Sequence, residues 1–418
     1  MTRPDLVANR EWLDRAETRR LMATLDPEGA GDVARFVGGA VRDAVLGRPV
    51  RDVDVATVLA PGEVVRKLEA VGIKVAPTGI DHGTVTAVID HHPFEITTLR
   101  HDVETFGRHA RVAFTDDWHA DAARRDFTMN ALYCGLDGRV RDPVGGLVDL
   151  AARRVRFIGD AGARIAEDAL RILRFFRFHA WYGEGAPDAD GLAACADRAA
   201  DLAKLSRERV RDELLKLVSA PDPGPVVRIM DEAGVLGRVL PEAALFDRFD
   251  GLVALERAIG EADPLRRLAA LLPDDAAGAG ERLRLSKRQQ TRLSEMIAPR
   301  GDIAPDYAPG HDGAALNRRM RVALYRLGRE RVIDHALLNR AASGGLADDP
   351  RWTRFVDAAR DWDIPAFPLR GRDLIAVGAE TGRGLGDMLY ALESWWISRD
   401  FKPSADELVA RARQLLAD

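Results

Sequence analysis

The sequence predicts an α+β fold: a head of about 155 residues built on a small sheet, followed by an all-helical remainder. Two observations carry this. Short β-branched runs such as Val55-Ala56-Thr57, Val85-Thr86-Ala87-Val88 and Glu95-Ile96-Thr97-Thr98 crowd into residues 33–99, a composition that suits a pleated, half-buried surface. From Ala163 onward apolar residues recur at helical spacing and strand signals nearly vanish.

In chain order, residues 1–30 read as a leading helix, with Leu6, Trp12, Leu13, Leu21 and Leu25 set among charges. Strands follow at 35–37, 53–58, 73–77, 84–89 and 94–99, with helices at 40–47 and 61–71. Proline- and glycine-rich breaks at 221–225, 299–313 and 364–372 interrupt the helical remainder. The reading is a head over 1–155, then helical segments over 156–225, 226–310 and 311–418.

With 418 residues, 46% hydrophobic and 30% charged, the chain has the balance of a globular protein. No apolar run is long enough for a membrane span, and the charged N-terminus has no apolar signal region. Cys134 and Cys195 are too few and too isolated for a disulfide framework or a thiolate metal site, so the expectation is a cytoplasmic protein with reduced thiols. The net charge of −5 conceals three basic stripes. Residues 151–180, 281–300 and 311–340 each carry an excess of four positive charges, enough to track a phosphate backbone locally; arginines on solvated helix faces are the plain alternative.

Chemistry concentrates in three blocks. In the first, a strand runs through Gly38-Gly39 into a helix bearing Arg42, an arrangement that lets backbone approach a phosphate closely. Asp52 and Asp54 follow at i and i+2, so both carboxylates project from one face of a strand. Two converging carboxylates repel unless a cation lies between them, and oxygen-only ligation suits Mg²⁺. Glu95, in a later strand, is a candidate third carboxylate, with a plain edge-strand glutamate as the alternative. The second block, Arg124-Arg125-Asp126-Phe127-Thr128, sets two guanidiniums beside a carboxylate before an apolar stretch. In the third, Asp168, Arg171, Arg174 and Arg177 fall at three-residue spacing on a single helix, acceptor and donors together, as reading a base edge requires.

The motifs GGAVRDAVLGRPVRDVDVAT, HGTVTAV with FEITTLR, RRDFTMNAL, DPVGGLVDL and EDALRILRFFRF occur here in one order. In that order they resemble the class II tRNA nucleotidyltransferases, the family of CCA-adding enzymes and bacterial poly(A) polymerases. The resemblance is close over 33–180 and looser through 205–217, 282–290 and 371–386. It implies a polymerase-β-like nucleotidyltransferase head with a small mixed sheet, then helical neck, body and tail. By motif it implies Asp52 and Asp54 on Mg²⁺, Gly38, Gly39 and Arg42 at the nucleotide's phosphates, and Arg125 near its ribose and phosphates. Asp168 and Arg171 would read the base of CTP or ATP, with Arg174 and Arg177 lining the same pocket. Segment 100–118, with Arg108-His109, resembles the family's flexible loop, and the tail would hold tRNA.

The implied reaction is in-line attack of an RNA 3′-hydroxyl on the α-phosphorus of a nucleoside triphosphate, releasing pyrophosphate. Poly(A) addition, or addition of CC or A alone, stays open beside CCA addition. A phosphohydrolase would need clustered His and Asp, and only His311-Asp312 offers the dipeptide. A non-catalytic RNA-binding relative would be expected to lack the intact Asp52-Val53-Asp54.

Overall fold

A computed structural model describes residues 6–76, 79–80, 83–106, 109–276, 278–298, 316–344 and 349–417, with backbone alone for the described part of 102–112. The predicted break at 299–313, Arg108, the His109 side chain, His311 and Asp312 therefore lie outside the described residues. The contacts divide the chain into two compact units, 1–241 and 242–418.

The first unit carries a seven-stranded mixed sheet. Its order is β3 (Lys74–Ala76), β4 (Thr84–Ile89), β5 (His92–Thr98), β2 (Asp54–Thr57), β1 (Ala34–Val37), β8 (Tyr133–Cys134) and β9 (Val140–Arg141). Neighbours pair antiparallel except β2 and β5, which run parallel. The register sets Val37 opposite Asp54 and Asp54 opposite Glu95. The end of β1, the start of β2 and Glu95 thus lie side by side across the central strands of the sheet. Because β5 lies between β4 and β2, Glu95 is on an interior strand, which removes the edge-strand alternative.

Two other expectations change. The leading helix shortens to α1 (Ala16–Leu25). Ahead of it the chain is pinned as an extended segment and turn, with Leu6 bridged to Arg139 and the Ala8 and Asn9 amides bonded to the Ala44 carbonyl. Trp12 and Leu13 look helical in sequence but are buried, Trp12 edge-on against Phe36 at 4.7 Å. Segment 100–118, read as a loop, contains a hairpin of β6 (Arg100–Phe106) and β7 (His109–Phe114), followed by α4 (Trp118–Ala123). Between β1 and β4 come α2 (Gly39–Val45) and α3 (Pro61–Ala70).

The join from sheet to helices is built by DPVGGLVDL. Asp142 accepts from the Gly146 and Leu147 amides at 2.7 and 2.9 Å, capping α5 (Gly146–Ala151). Gly145 sits at φ 80°, a left-handed conformation that glycine adopts without strain. Asp149, fully buried, accepts from Thr128 Oγ1 at 2.7 Å and from Arg154 and Arg156 at 2.9 and 2.8 Å. Segment 126–128 then pairs with 156–158, and Phe127 packs with Phe157, Phe175 and Phe178, all buried.

That cluster receives α7 (Leu170–Tyr182), which follows α6 (Ala161–Glu167). The predicted continuous helix is broken here. Asp168 has extended backbone (φ −150°, ψ 107°) and its carboxylate accepts from the Leu170 amide at 3.0 Å, the capping role aspartate favours. The unit continues through α8 (Ala189–Asp197), α9 (Arg207–Val218), α10 (Gly224–Glu232) and α11 (Leu236–Val239).

The second unit is helical as described: α12 (Phe246–Ile259), α13 (Pro264–Leu271), α14 (Ala279–Arg282), α15 (Lys287–Ile297), α16 (Arg318–Leu327), α17 (Arg329–Ala342), α18 (Pro350–Asp361), α19 (Gly371–Ile375), α20 (Arg383–Ser398) and α21 (Ala405–Ala417). Among the described residues no helix is long and apolar enough to cross a membrane. Its interior includes charge: buried Glu256 accepts from Arg266 and Arg267 at 2.8 and 2.6 Å, and buried Asp334 accepts from Arg266 at 2.8 Å and Arg292 at 2.7 Å.

Gly146 gives a sharp stability test. A Cβ there would lie 2.2 Å from the Thr128 carbonyl oxygen, which is backbone and cannot turn aside. Gly146→Ala should lower unfolding free energy by about 1–3 kcal/mol, the usual cost of overpacking. Denaturant unfolding of both proteins measures it, and an unchanged midpoint would show that the α5 contact is not tight.

Candidate active site

The site begins at the glycine turn. Gly38 ends β1 at φ 73° and ψ −127°, a conformation costly for any residue with a Cβ. Its own amide donates to the Leu132 carbonyl at 3.1 Å, so that N–H is already committed and is not offered to a phosphate. Gly39 opens α2 close to Arg42, and a Cβ on Gly39 would sit 3.5 Å from Arg42 Nη2.

Asp52, exposed, precedes β2, and Asp54, also exposed, is its first residue, with Val53 buried between them. Asp52 lies outside the strand, so strand alternation does not by itself align the two carboxylates, but both residues line one cavity. The Asp54 carboxyl keeps access to water yet is crowded by protein atoms. This partial desolvation raises its proton affinity above the usual carboxylate range, Glu95 and Asp52 raise it further, and Arg125 opposes them. A cavity of about 650 Å³ joins Gly39, Arg42, Asp52 and Asp54 to Arg48, Arg51, Trp181 and Tyr182.

Arg125 is aimed by residues that the motif reading passed over. Asp121, 1% exposed, accepts from Arg125 Nε and Nη2 at 3.2 and 2.9 Å, from Arg124 at 2.7 Å and from the Tyr133 hydroxyl at 2.8 Å. The Nη1 end is left near the glycine turn, 3.9 Å from where a Gly38 Cβ would be. Burial opposes ionisation of Asp121, but Arg125, Arg124 and the tyrosine bond outweigh it and hold the carboxyl down at about 2. The i,i+3 and i,i+4 spacing of Asp121 to Arg124 and Arg125 was the available sequence signal.

Arg42 is buried and nearly saturated. Nε and Nη2 donate to Asp43 at 3.0 and 3.2 Å, Nη1 to Asn130 Oδ1 at 2.8 Å, and Nη2 to the Tyr182 hydroxyl at 2.6 Å. Asn130 in turn donates to Asp126 at 2.9 Å, and Asp126 accepts from Arg174 Nε at 2.7 Å. A hydrogen-bonded chain thus runs from the glycine turn to the middle of α7. The desolvation of Asp126 is outweighed by Arg174 and Asn130, and its carboxyl stays below the usual range.

The proposed base readers are placed differently from the sequence expectation. Asp168 lines a separate cavity of about 360 Å³ and pairs with Arg209 at 2.7 Å. Arg171 donates to Glu167 at 2.5 Å and to the Arg164 and Arg124 carbonyls at 2.9 and 3.3 Å. Arg177 pairs with Glu213 at 2.6 Å and lies over the Phe178 ring. The basic stripe over 151–180 is therefore largely paired with carboxylates of the fold, Asp149, Glu167, Asp126 and Glu213, although Arg154 and Arg156 stay accessible to water.

Residues 34–156 match the Poly A polymerase head domain family, and 187–246 match the probable RNA and SrmB-binding site of polymerase A. Identity is 34% over 386 residues to the mitochondrial CCA tRNA nucleotidyltransferase 1 of Danio rerio, covering 91% of this chain and 87% of that one. The chain belongs to the class II tRNA nucleotidyltransferase family. It is also 42% identical over 218 residues to the CCA-adding enzyme of Leuconostoc citreum, covering 51% of this chain and 52% of the other. A solved structure of the Bacillus stearothermophilus CCA-adding enzyme in complex with CTP aligns with a TM-score of 0.74 at 27% identity, over 96% of this chain and 97% of that one.

Class II tRNA nucleotidyltransferases are generally dependent on a divalent metal, and the donors here suit a hard cation. They are oxygens alone, and the proton affinity of Asp54, raised first by desolvation and then by Glu95 and Asp52, is what a cation beside it would offset. Among the described residues no three or more His, Cys, Asp or Glu side chains are drawn into one ligand set. A Mg²⁺ would therefore take one or two carboxylates here and complete its shell with water and substrate phosphates.

Asp121 can be tested through linkage. Its depressed carboxyl contributes stability that is fully present above the ordinary carboxylate range and is lost as pH falls toward 2. Asp121→Asn should cost about 2 kcal/mol at neutral pH, and the deficit should narrow between about pH 4 and 2. Urea titrations across that range measure it; a deficit constant with pH would refute the charge pairing.

Proposed function

We propose that this chain is a template-independent RNA 3′-end nucleotidyltransferase that builds CCA on tRNA from CTP and ATP with release of pyrophosphate. The observation that carries this reading is the meeting of Asp54, Glu95 and the Gly38-Gly39 turn across the central strands of the sheet, in a chain that belongs to this family along nearly its whole length.

In this reading Asp52 and Asp54 hold Mg²⁺, with Glu95 as a further carboxylate nearby. The bound metal would neutralise phosphate charge and favour ionisation of the attacking 3′-hydroxyl. The chain's own groups position the substrates. Arg125, held by Asp121 with Nη1 toward the turn, grips the ribose and phosphates of the incoming nucleotide. Arg42, with one guanidinium hydrogen uncommitted to the partners described above, adds a single bond and otherwise fixes the floor of the cavity. Asp168 and Arg171 read the base edge after exchanging their Arg209, Glu167 and carbonyl partners for the nucleotide, and Arg174 and Arg177 buttress them from α7.

The residues divide by role into a head to about 155, a neck to 225, a body to 310 and a tail. Three features support tail contact with RNA. Exposed Arg318, Arg319 and Arg326 line a cleft of about 630 Å³, Ser394 and Ser398 border it, and other arginines of that stripe are paired internally, such as Arg321 with Asp400. Isolated, buried Cys134 and Cys195 support a reducing compartment, which we read as the cytoplasm, although the Danio rerio relative is named mitochondrial.

The head-family match also brings poly(A) addition into view, and one assay separates the readings. A tRNA lacking its CCA end is incubated with each nucleoside triphosphate alone and with CTP and ATP together. CCA addition gives C incorporation from CTP and one further A when ATP is also present, whereas processive tailing with ATP alone would support poly(A) polymerase. Asp52→Ala should lower transfer by about 10³-fold, the scale of metal-dependent stabilisation, and leave tRNA affinity within about twofold. Retained transfer would overturn the carboxylate assignment.

A further inference from the structure

Tyr182, the last residue of α7, stands at the wall of the cavity that contains Asp52 and Asp54, and no motif assigns it a role. Its hydroxyl accepts from Arg42 Nη2 at 2.6 Å and also bonds to the Asp43 carboxylate. Its ring lies 4.0 Å from Arg42 Cζ and 4.8 Å from Arg48 Cζ. Phe178, one turn earlier, stacks against it at 5.8 Å and approaches Arg42 at 5.4 Å. Arg42, Asp43 and Tyr182 therefore form a closed triangle in which the ring and hydroxyl act on the same guanidinium.

The atom that Tyr182 holds is Nη2, the one that faces the Gly39 turn. Without the tyrosine hydroxyl, Asp43 would be the remaining described acceptor for Nη2, and the guanidinium could swing on its stem. With it, Arg42 is fixed from both sides, by Asn130 in the head and by α7.

We propose that Tyr182 is a positioning residue for nucleotide binding, holding Arg42 against the glycine turn where the triphosphate is received. This rests on the functional reading above. Because all nucleoside triphosphates share the triphosphate, the effect should be the same for CTP and ATP and absent for the acceptor RNA. The hydroxyl and the ring contribute separately, as a charge-assisted hydrogen bond and a cation–π contact.

Tyr182→Phe keeps the ring, and Tyr182→Leu removes both. Steady-state transfer on tRNA lacking CCA should show KM for CTP and ATP raised together, by about fivefold in Tyr182→Phe and about 30-fold in Tyr182→Leu. The kcat and the KM for tRNA should stay within about twofold, the signature of lost uniform binding. A nucleotide KM unchanged in Tyr182→Phe, with or without a lower melting temperature, would overturn the proposal. So would a shift for one nucleotide only. Wild-type protein assayed alongside separates the failures: absence of wild-type transfer sinks the functional reading and this proposal with it, whereas normal wild-type transfer with an unaltered Tyr182→Phe sinks this proposal alone.

Discussion

Asp126 is a carboxylate in the protein interior, and much of the first unit is arranged around satisfying it. It accepts from the Phe127 amide at 2.8 Å, from Asn130 at 2.9 Å and from Arg174 at 2.7 Å. A buried charge left unpaired costs several kcal/mol, so these partners are obligatory rather than decorative. Arg174 can reach Asp126 only if α7 has one rotation and one height against the head. Asn130, bonded to Asp126, in turn accepts from Arg42 beside the glycine turn. One desolvated carboxylate therefore ties the glycine turn to the helix that carries Arg171 and starts just after Asp168.

The same device recurs. Asp121 gathers Arg124, Arg125 and Tyr133, and Asp149 gathers Thr128, Arg154 and Arg156. Each is a nearly inaccessible aspartate surrounded by arginines from its own segment. Arg125, bonded to Asp121, and Arg174, bonded to Asp126, are among the arginines expected at the nucleotide. A guanidinium has five N–H donors in a fixed plane, so two or three bonds to a buried carboxylate aim the remainder. Counting charge along the chain therefore overstates the unpaired cations of the 151–180 stripe, because most of its arginines are bonded to carboxylates of the fold.

The head was legible in sequence because its strands carry β-branched alternation and its chemistry lies in short, contiguous motifs. Backbone rules put Gly38 in a strand-to-helix turn and Asp52 and Asp54 on one strand face, but only the company of the later motifs set those residues apart from an ordinary turn and surface carboxylates; the parallel register that sets Glu95 opposite Asp54 came from the fold. The β6–β7 hairpin was not legible, since segment 100–118 was matched only by its resemblance to the family's flexible loop. Nor was the interruption at Asp168, where three-residue spacing imitates an unbroken helix. The hint there was chemical: aspartate favours helix starts, and its carboxylate caps Leu170. Tyr182 carried no signal at all, because its importance lies in a contact with Arg42 across 140 residues of chain.

If the Asp126–Arg174 bond is what couples the head to α7, its two members should behave as one unit in catalysis. The direct measurement is a double-mutant cycle on kcat/KM for CTP with Asp126→Asn, Arg174→Gln and the double variant, each verified folded by circular dichroism. Each single change should cost at least about 100-fold and the double should be little worse than either, a coupling of about 2.7 kcal/mol or more. Losses that simply add, or single variants with wild-type activity, would contradict it.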